Sequence, residues 1–249
     1  MAVFLFVAKK YFVCCENMQL HSNHIEQKIK QSHWWQKAAV TVDSHFSNTS
    51  NVMLTHHLEA VHANVISLFR GYQTPFIQSL FALLPKFDLS LEMAEQELKI
   101  IALLHDIGKT EEDKSLVIPH PLTGKPAHKR HGLVSLMAAM EIIENDFSHV
   151  PTIKNRIYRS VELHDMSYGL YRQYETLGDI PQTEHWQYIS NKIYPKPGVG
   201  LLYLLIFKLA DIHGHANIGD VIWFFENAKT NYFDKLAIEL PLPTEKDIR

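Results

Sequence analysis

The chain has 249 residues, which suits one large domain or a domain with an appendage, and at 46% hydrophobic, 20% charged, 10 Gly and 11 Pro it is neither disordered nor collagen-like nor low-complexity. With 24 basic against 27 acidic side chains the net charge is -3, so the protein lacks an overall basic field for holding a nucleic-acid backbone. Its 16 His against 2 Cys favour divalent ions bound through nitrogen and oxygen.

Residues 1–50 read as an N-terminal extension. Met1 to Ala8 is apolar but runs into Lys9 and Lys10, the reverse of a secretory signal. Met18 would itself make a plausible translation start, so Met1 to Asn17 reads either as a gene-model artefact or as a poorly packed arm. Cys14 and Cys15 are adjacent and have no Cys-x-x-Cys partner, which fits a reducing compartment; the expected location is cytoplasmic. Trp34 and Trp35, with His21, His24 and His33 nearby, carry no recognisable motif.

From residue 51 the apolar spacing is helical, and the expected body is all-α, 51–230, followed by a tail at 231–249. Leu54, Leu58, Val61, Val65 and Leu68 recur at three- and four-residue steps and predict a helix over 52–69. Ser90 is a good N-cap for a second helix that carries Leu98, Ile101 and Leu104, with His105 and Asp106 in its last turn before Gly108. Further helices are expected over 131–144, 151–163, 198–210 and 218–228, with Trp223, Phe224 and Phe225 in the core. Polar, Pro-containing stretches at 114–129 and 177–197 read as loops. The longest uncharged apolar run, 199–207, is far below the ~20 residues of a membrane span and reads as a buried helix.

No P-loop, G-x-G-x-x-G, G-x-S-x-G or H-E-x-x-H occurs, which removes the commonest cues for nucleotide loops, dinucleotide folds, α/β-hydrolases and zincins. The informative segment is Leu104-His105-Asp106-Ile107-Gly108-Lys109. At a relaxed helix end, adjacent His and Asp can face one ion, whereas mid-helix neighbours diverge by about 100°. With an apolar helix ending in Ala210-Asp211, and with His131 and His164 opening or closing other helical segments, the chain resembles the HD-domain superfamily of metal-dependent phosphohydrolases over roughly 51–228.

The resemblance implies an HD-domain helical bundle. It matches the family's early His to His56, because Leu58, Ala60 and Ala63 then fall at apolar positions, whereas His57 would place Glu59 and Asn64 there. His56, His105, Asp106 and Asp211 would hold a first ion, and His131 and His164 a second, with Asp106 bridging. Asp165 stands where two-metal members often carry a second His. The implied cofactor is one or two divalent ions, Mn, Fe, Co, Ni or Mg, which acidify water and clamp the oxygens of a phosphoryl displacement. Lys109 is expected to neutralise the substrate phosphate beside Asp106, and Tyr168, Tyr171 and Arg172 to stack a base and hold a phosphate. The loop bearing His120, Lys125, His128, Lys129 and Arg130 is a candidate substrate entrance.

The implied activity is hydrolysis of a phosphate ester or anhydride, of a nucleotide or small phosphodiester. The same ligand pattern also resembles the mixed-valent di-iron oxygenases related to myo-inositol oxygenase. An HD-type nuclease is a further alternative, which the acidic net charge disfavours. Hydrolysis leads because it is the commoner activity of the superfamily and because Lys109 directly follows the His-Asp-Ile-Gly motif.

Overall fold

The computed structural model describes residues 22–43, 52–71, 74–110, 114–119, 126–148, 150–192, 198–212 and 218–248. They are predominantly helical. A helix over residues 22–31 (α1) and His33–Ala38 (α2) precede Leu54–Arg70 (α3), Pro75–Phe81 (α4) and Leu91–Leu104 (α5). Then follow His131–Ile143 (α6), Pro151–Leu163 (α7), Met166–Leu177 (α8), Thr183–Asn191 (α9), Val199–Ile212 (α10), Gly219–Ala228 (α11) and Glu245–Ile248 (α12). The strand structure is one antiparallel pair, Val117–Pro119 (β1) with Pro126–His128 (β2), in which Val117 faces His128.

Local chemistry sets the helix ends. The Ser90 hydroxyl accepts the Met93 amide and starts α5, and Thr74 does the same for Ile77 ahead of Pro75 at the start of α4. The centre of the bundle is α10, in which every residue from Val199 to Ala210 is buried, as an all-round apolar helix must be. Around it stand α3, α5 and α7. No helix of the described residues is long and apolar enough to cross a membrane.

One polar group lies inside this core. Arg156 of α7 donates through both Nε, at 2.7 Å, and its terminal nitrogen to the Glu97 carboxylate of α5, and the Tyr203 hydroxyl of α10 donates to the same carboxylate at 3.1 Å. Burial opposes the Arg156 charge, but the Glu97 carboxylate outweighs it and moves the guanidinium pKa further up.

The expected domain boundaries are too narrow. Ile25, Ile29 and Ala38 from the supposed extension, and Tyr232, Phe233, Leu240 and Ile248 from the supposed tail, are buried in the same continuous core as α5 and α10. Helix α1 is also tied down by charge: Glu26 meets Lys99 of α5 at 2.6 Å and His62 of α3 at 3.2 Å, and Lys28 meets Asp146 at 2.7 Å. The Glu26 carboxyl is partly buried, which alone would raise its pKa, yet His62 and Lys99 pull it down to about 2. The stretch before residue 22, with Met18, Cys14, Cys15 and His21, lies outside the described residues.

The loops expected over 114–129 and 177–197 contain the β1–β2 pair and α9, and α1, α2, α4 and α8 were not anticipated from the spacing. In α8 and α9 the buried positions are few and partly polar, Ser167, Leu170, Trp186, Ile189 and Ser190, so their apolar stripe is thin.

Two glycines let α6 come close. A Cβ on Gly108 would lie 2.4 Å from the Ser135 nitrogen and 2.6 Å from the His131 carbonyl oxygen, and one on Gly132 would lie 2.5 Å from the Glu162 oxygen of α7. The Gly108 amide also donates to Ser135 Oγ at 2.9 Å. Gly108→Ala is therefore expected to push the start of α6 outward and cost about 1–3 kcal/mol in urea unfolding, since the colliding atoms are backbone and cannot swing aside.

Candidate metal centre

Helices α5, α7 and α10 end at one place, and their last turns deliver His105 and Asp106, His164, and Asp211. The first turn of α3 contributes His57 and the first residue of α6 contributes His131. The side chains form two groups around Asp106. On one side His57 Nε2 is 3.3 Å and His105 Nε2 3.4 Å from Asp106 Oδ2, with 3.2 Å between the two rings' Nε2 atoms. Asp211 Oδ1 closes that side, 3.6 Å from His105 Nε2 and 3.8 Å from His57 Nε2. On the other side His131 and His164 Nε2 each lie 3.2 Å from Asp106 Oδ1 and 3.1 Å from one another. Asp106 thus turns one oxygen to each group.

This arrangement corrects the early ligand. His56 is exposed, whereas His57 is buried and enters the first group. The buried face of α3 runs Leu54, His57, Leu58, Val61, Val65 and Leu68, so the stripe that predicts the helix passes through residue 57. The positions that argued against His57 are polar for their own reasons. Glu59 is exposed and pairs with Lys30 at 2.8 Å, and the Asn64 amide donates to the Ala210 carbonyl at 2.9 Å, beside Asp211.

The ring orientations are fixed from behind. Nδ1 of His105, His131 and His164 lies 2.9, 2.8 and 2.8 Å from the carbonyl oxygens of Ala102, His128 and Val161. A carbonyl can only accept, so each Nδ1 carries the proton and Nε2 faces the group. For His105 and His164, the carbonyls are those a helix leaves unused in its last turn. His57 stands in the first turn of α3, where the carbonyls behind it already serve the helix, and its Nδ1 instead faces the Asp43 carboxylate at 3.8 Å. Asp43 is only 1% exposed, and its backbone N–H donates a hydrogen bond to the Val52 carbonyl at 2.9 Å.

Burial and charge compete at each group. Burial lowers the His105 pKa and drives His131 down to about 4. For His57 and His164 burial acts the same way, but Asp106 overrides it and the pKa rises. Asp106 is buried and Asp211 partly so, yet Lys109 and His105 hold the first carboxyl, and Lys208, His105 and His57 the second, well below the usual range.

Two buried lysines flank the carboxylates. Lys109 Nζ lies 2.5 Å from Asp106 Oδ2, and Lys208 Nζ lies 3.7 Å from Asp211 Oδ2 and 3.2 Å from Asp220 Oδ2. Burial disfavours both ammonium groups, but Asp106 and Asp43 around Lys109, and Asp211 and Asp220 around Lys208, raise their pKa values and keep them charged.

Comparison with protein-family models, curated proteins and solved structures finds no match. The site is therefore read from its own chemistry.

The donor set suits metal. His57, His105 and Asp106 form one group of potential ligands and Asp106, His131 and His164 a second, each with its ligand atoms within 4.8 Å of one another. Donors each about 2.1 Å from a shared ion stand roughly 3–3.5 Å apart, the spacing found within each group. Asp106 favours the protonated form of His57 and His164, and an ion bound at these donors would compete with that proton.

Tyr168 and Arg172 pack on one another along α8, guanidinium to ring at 5.9 Å. Burial raises the Tyr168 pKa, with Asp165 and Asp220 acting the same way and Arg172 and Lys208 opposing. Asp165 Oδ2 is 4.0 Å from His131 Nε2 and half exposed, at the rim of the second group. His120 and Lys125 lie outside the described residues; His128 is placed, and its carbonyl orients His131.

Asp43 and Lys208 were not anticipated from the sequence. Nothing in the sequence marks Asp43. Lys208 did leave a signal, because it and Asp211 are the only charges in the 14 residues of α10. A cation one turn before the last acid of an apolar helix needs a buried partner.

Proposed function

We propose that the protein is an HD-type metal-dependent phosphohydrolase that cleaves a phosphate ester or anhydride, of a nucleotide or small phosphodiester. The supporting observation is the division of Asp106, with Oδ2 turned to His57 and His105 and Oδ1 to His131 and His164. His57, His105, Asp106 and Asp211 would hold one divalent ion, and Asp106, His131 and His164 a second. Bound there, such a pair supplies an acidified water and Lewis-acid contacts to phosphoryl oxygens.

The chain's own groups do the rest. The carbonyls of Ala102, His128 and Val161 and the Asp43 carboxylate hold the four rings in place, so binding costs little reorganisation. Lys109 keeps its charge in a buried setting and neutralises the anionic substrate as a point charge. Lys208 steadies Asp211 by charge. In the overall hydrolysis a water oxygen bonds to phosphorus, the phosphorus–oxygen bond to the alcohol or phosphate breaks, and that group leaves with a proton.

The test combines elemental analysis with a screen of mono-, di- and cyclic nucleotides and simple phosphate esters under each divalent metal. The unmodified protein is expected to carry about two ions per chain, and His57→Ala and His164→Ala about one each, because loss of an imidazole weakens the group it serves. His56→Ala is the control and should change neither metal content nor activity. Absence of turnover with every metal and substrate would overturn the reading. Oxygen uptake with an organic substrate, together with a mixed-valent di-iron resonance, would replace it with the oxygenase alternative.

A further inference from the structure

Beside the metal centre lies a cavity of about 290 Å³, whose lining includes both Lys109 and Asp43. These two residues also belong to the site, through the Lys109–Asp106 contact at 2.5 Å and the approach of Asp43 to His57 at 3.8 Å. The cavity therefore abuts the His57 side of the centre. Its other walls are mostly apolar: Val42 from the segment paired with Met53 ahead of α3, Leu54 at the start of α3, and Val117 and Pro126 from the β1–β2 pair, with Thr41 and His128 as the further polar residues.

That lining restricts what can occupy the space. The volume is at the small end of ligand pockets, which run from about 300 to 1,000 Å³, so it takes one compact group. An apolar wall rewards a ring or branched chain, and penalises a polyol whose hydroxyls would lose water without replacement. The buried Asp43 carboxylate repels a second anion, which excludes a polyphosphate chain from this space.

We propose that this cavity holds the alcohol part of the substrate, so that the preferred substrates are phosphate esters of a compact, uncharged and largely apolar or aromatic alcohol. The phosphate then lies at Lys109, and the organic group points away from it between Val42, Leu54, Val117 and Pro126. This inference rests on the phosphohydrolase reading, and its test separates the two.

Benzyl phosphate and glycerol phosphate have alkyl leaving groups of similar character, so their kcat/KM ratio reports binding of the organic part. On the manganese-loaded protein benzyl phosphate should be preferred by at least about tenfold, the scale of discrimination by an apolar pocket. Val117→Asp, which puts charge in the wall, and Val117→Trp, which fills the space, should each remove that preference. Calorimetry with benzylphosphonate, which cannot be hydrolysed, should show the same roughly tenfold loss in both variants. Inhibition by inorganic phosphate should persist in both, which shows that they remain folded. If esters are hydrolysed without preference, or benzylphosphonate binds equally to all three proteins or to none, the cavity assignment is overturned. If no ester is hydrolysed but benzylphosphonate binding keeps its sensitivity to Val117, the cavity stands and the hydrolase reading falls.

Discussion

Asp106→Asn should empty both halves of the centre at once. The substitution preserves size and helix geometry but removes the carboxylate that, alone among the described residues, faces both groups, through Oδ2 at 3.3–3.4 Å and Oδ1 at 3.2 Å. Bound metal is expected to fall from about two ions per chain toward none, and activity by more than about 100-fold, because even outer-sphere partners of a metal site are worth 10–100-fold. Stability should respond in a distinctive way. Lys109 loses its counter-charge at 2.5 Å, which lowers the melting temperature in chelator, and added metal should raise that of the unmodified protein but not that of the variant. Calorimetric melts with and without metal, beside elemental analysis, decide the matter. Full metal content in Asp106→Asn would refute the shared-carboxylate geometry.

The second large effect is expected far from any ligand. Glu97 lies eight residues before His105, Arg156 eight before His164 and Tyr203 eight before Asp211. Eight residues of helix span about 12 Å, so the buried triad crosses α5, α7 and α10 at one level below the ligands that end them. Arg156→Ala should cost about 3–5 kcal/mol in urea unfolding, because it leaves the Glu97 carboxylate buried without its cation. Replacing all three with apolar groups, as Glu97→Leu, Arg156→Met and Tyr203→Phe, should cost far less, since a buried pair repays little more than its own desolvation. Metal affinity separates register from stability. If the triad sets the relative height of the three helices, the apolar triple variant stays folded but binds metal less tightly than the unmodified protein.

The sequence reveals the frame of this site better than its details. The His105-Asp106 pair, the apolar helix ending at Asp211 and the helix starts and ends at His131 and His164 are all visible, because helix ends announce themselves through caps, glycine and a change of polarity. The choice between His56 and His57 was legible too, in the stripe of Leu54, Leu58, Val61 and Val65. The apolar-position argument for His56 fails because inward positions need not be apolar: Asn64 uses its amide on the Ala210 carbonyl. Helix α1 was hidden because Ile25 and Ile29 are its main apolar anchors and ion pairs supply much of the rest. Asp43 was out of reach, since only the pairing of Val42 with Met53 carries it to His57.

The two halves of the centre differ in how they can open. His105 and Asp211 stand at the ends of α5 and α10, and α10 has no exposed residue from Val199 to Ala210, so releasing them means breaking the bundle. His131 is the first residue of α6, entered through Arg130 in the left-handed conformation with φ of 62°, and it follows β2 after a two-residue turn. A first turn frays more readily than a helix interior, so His131 is expected to open before His164 and Asp106. Amide hydrogen exchange checks this, as faster exchange over 131–135 against exchange at the global unfolding limit over 202–210. That result would give the centre a fixed wall on the α10 side and a hinged one at the start of α6.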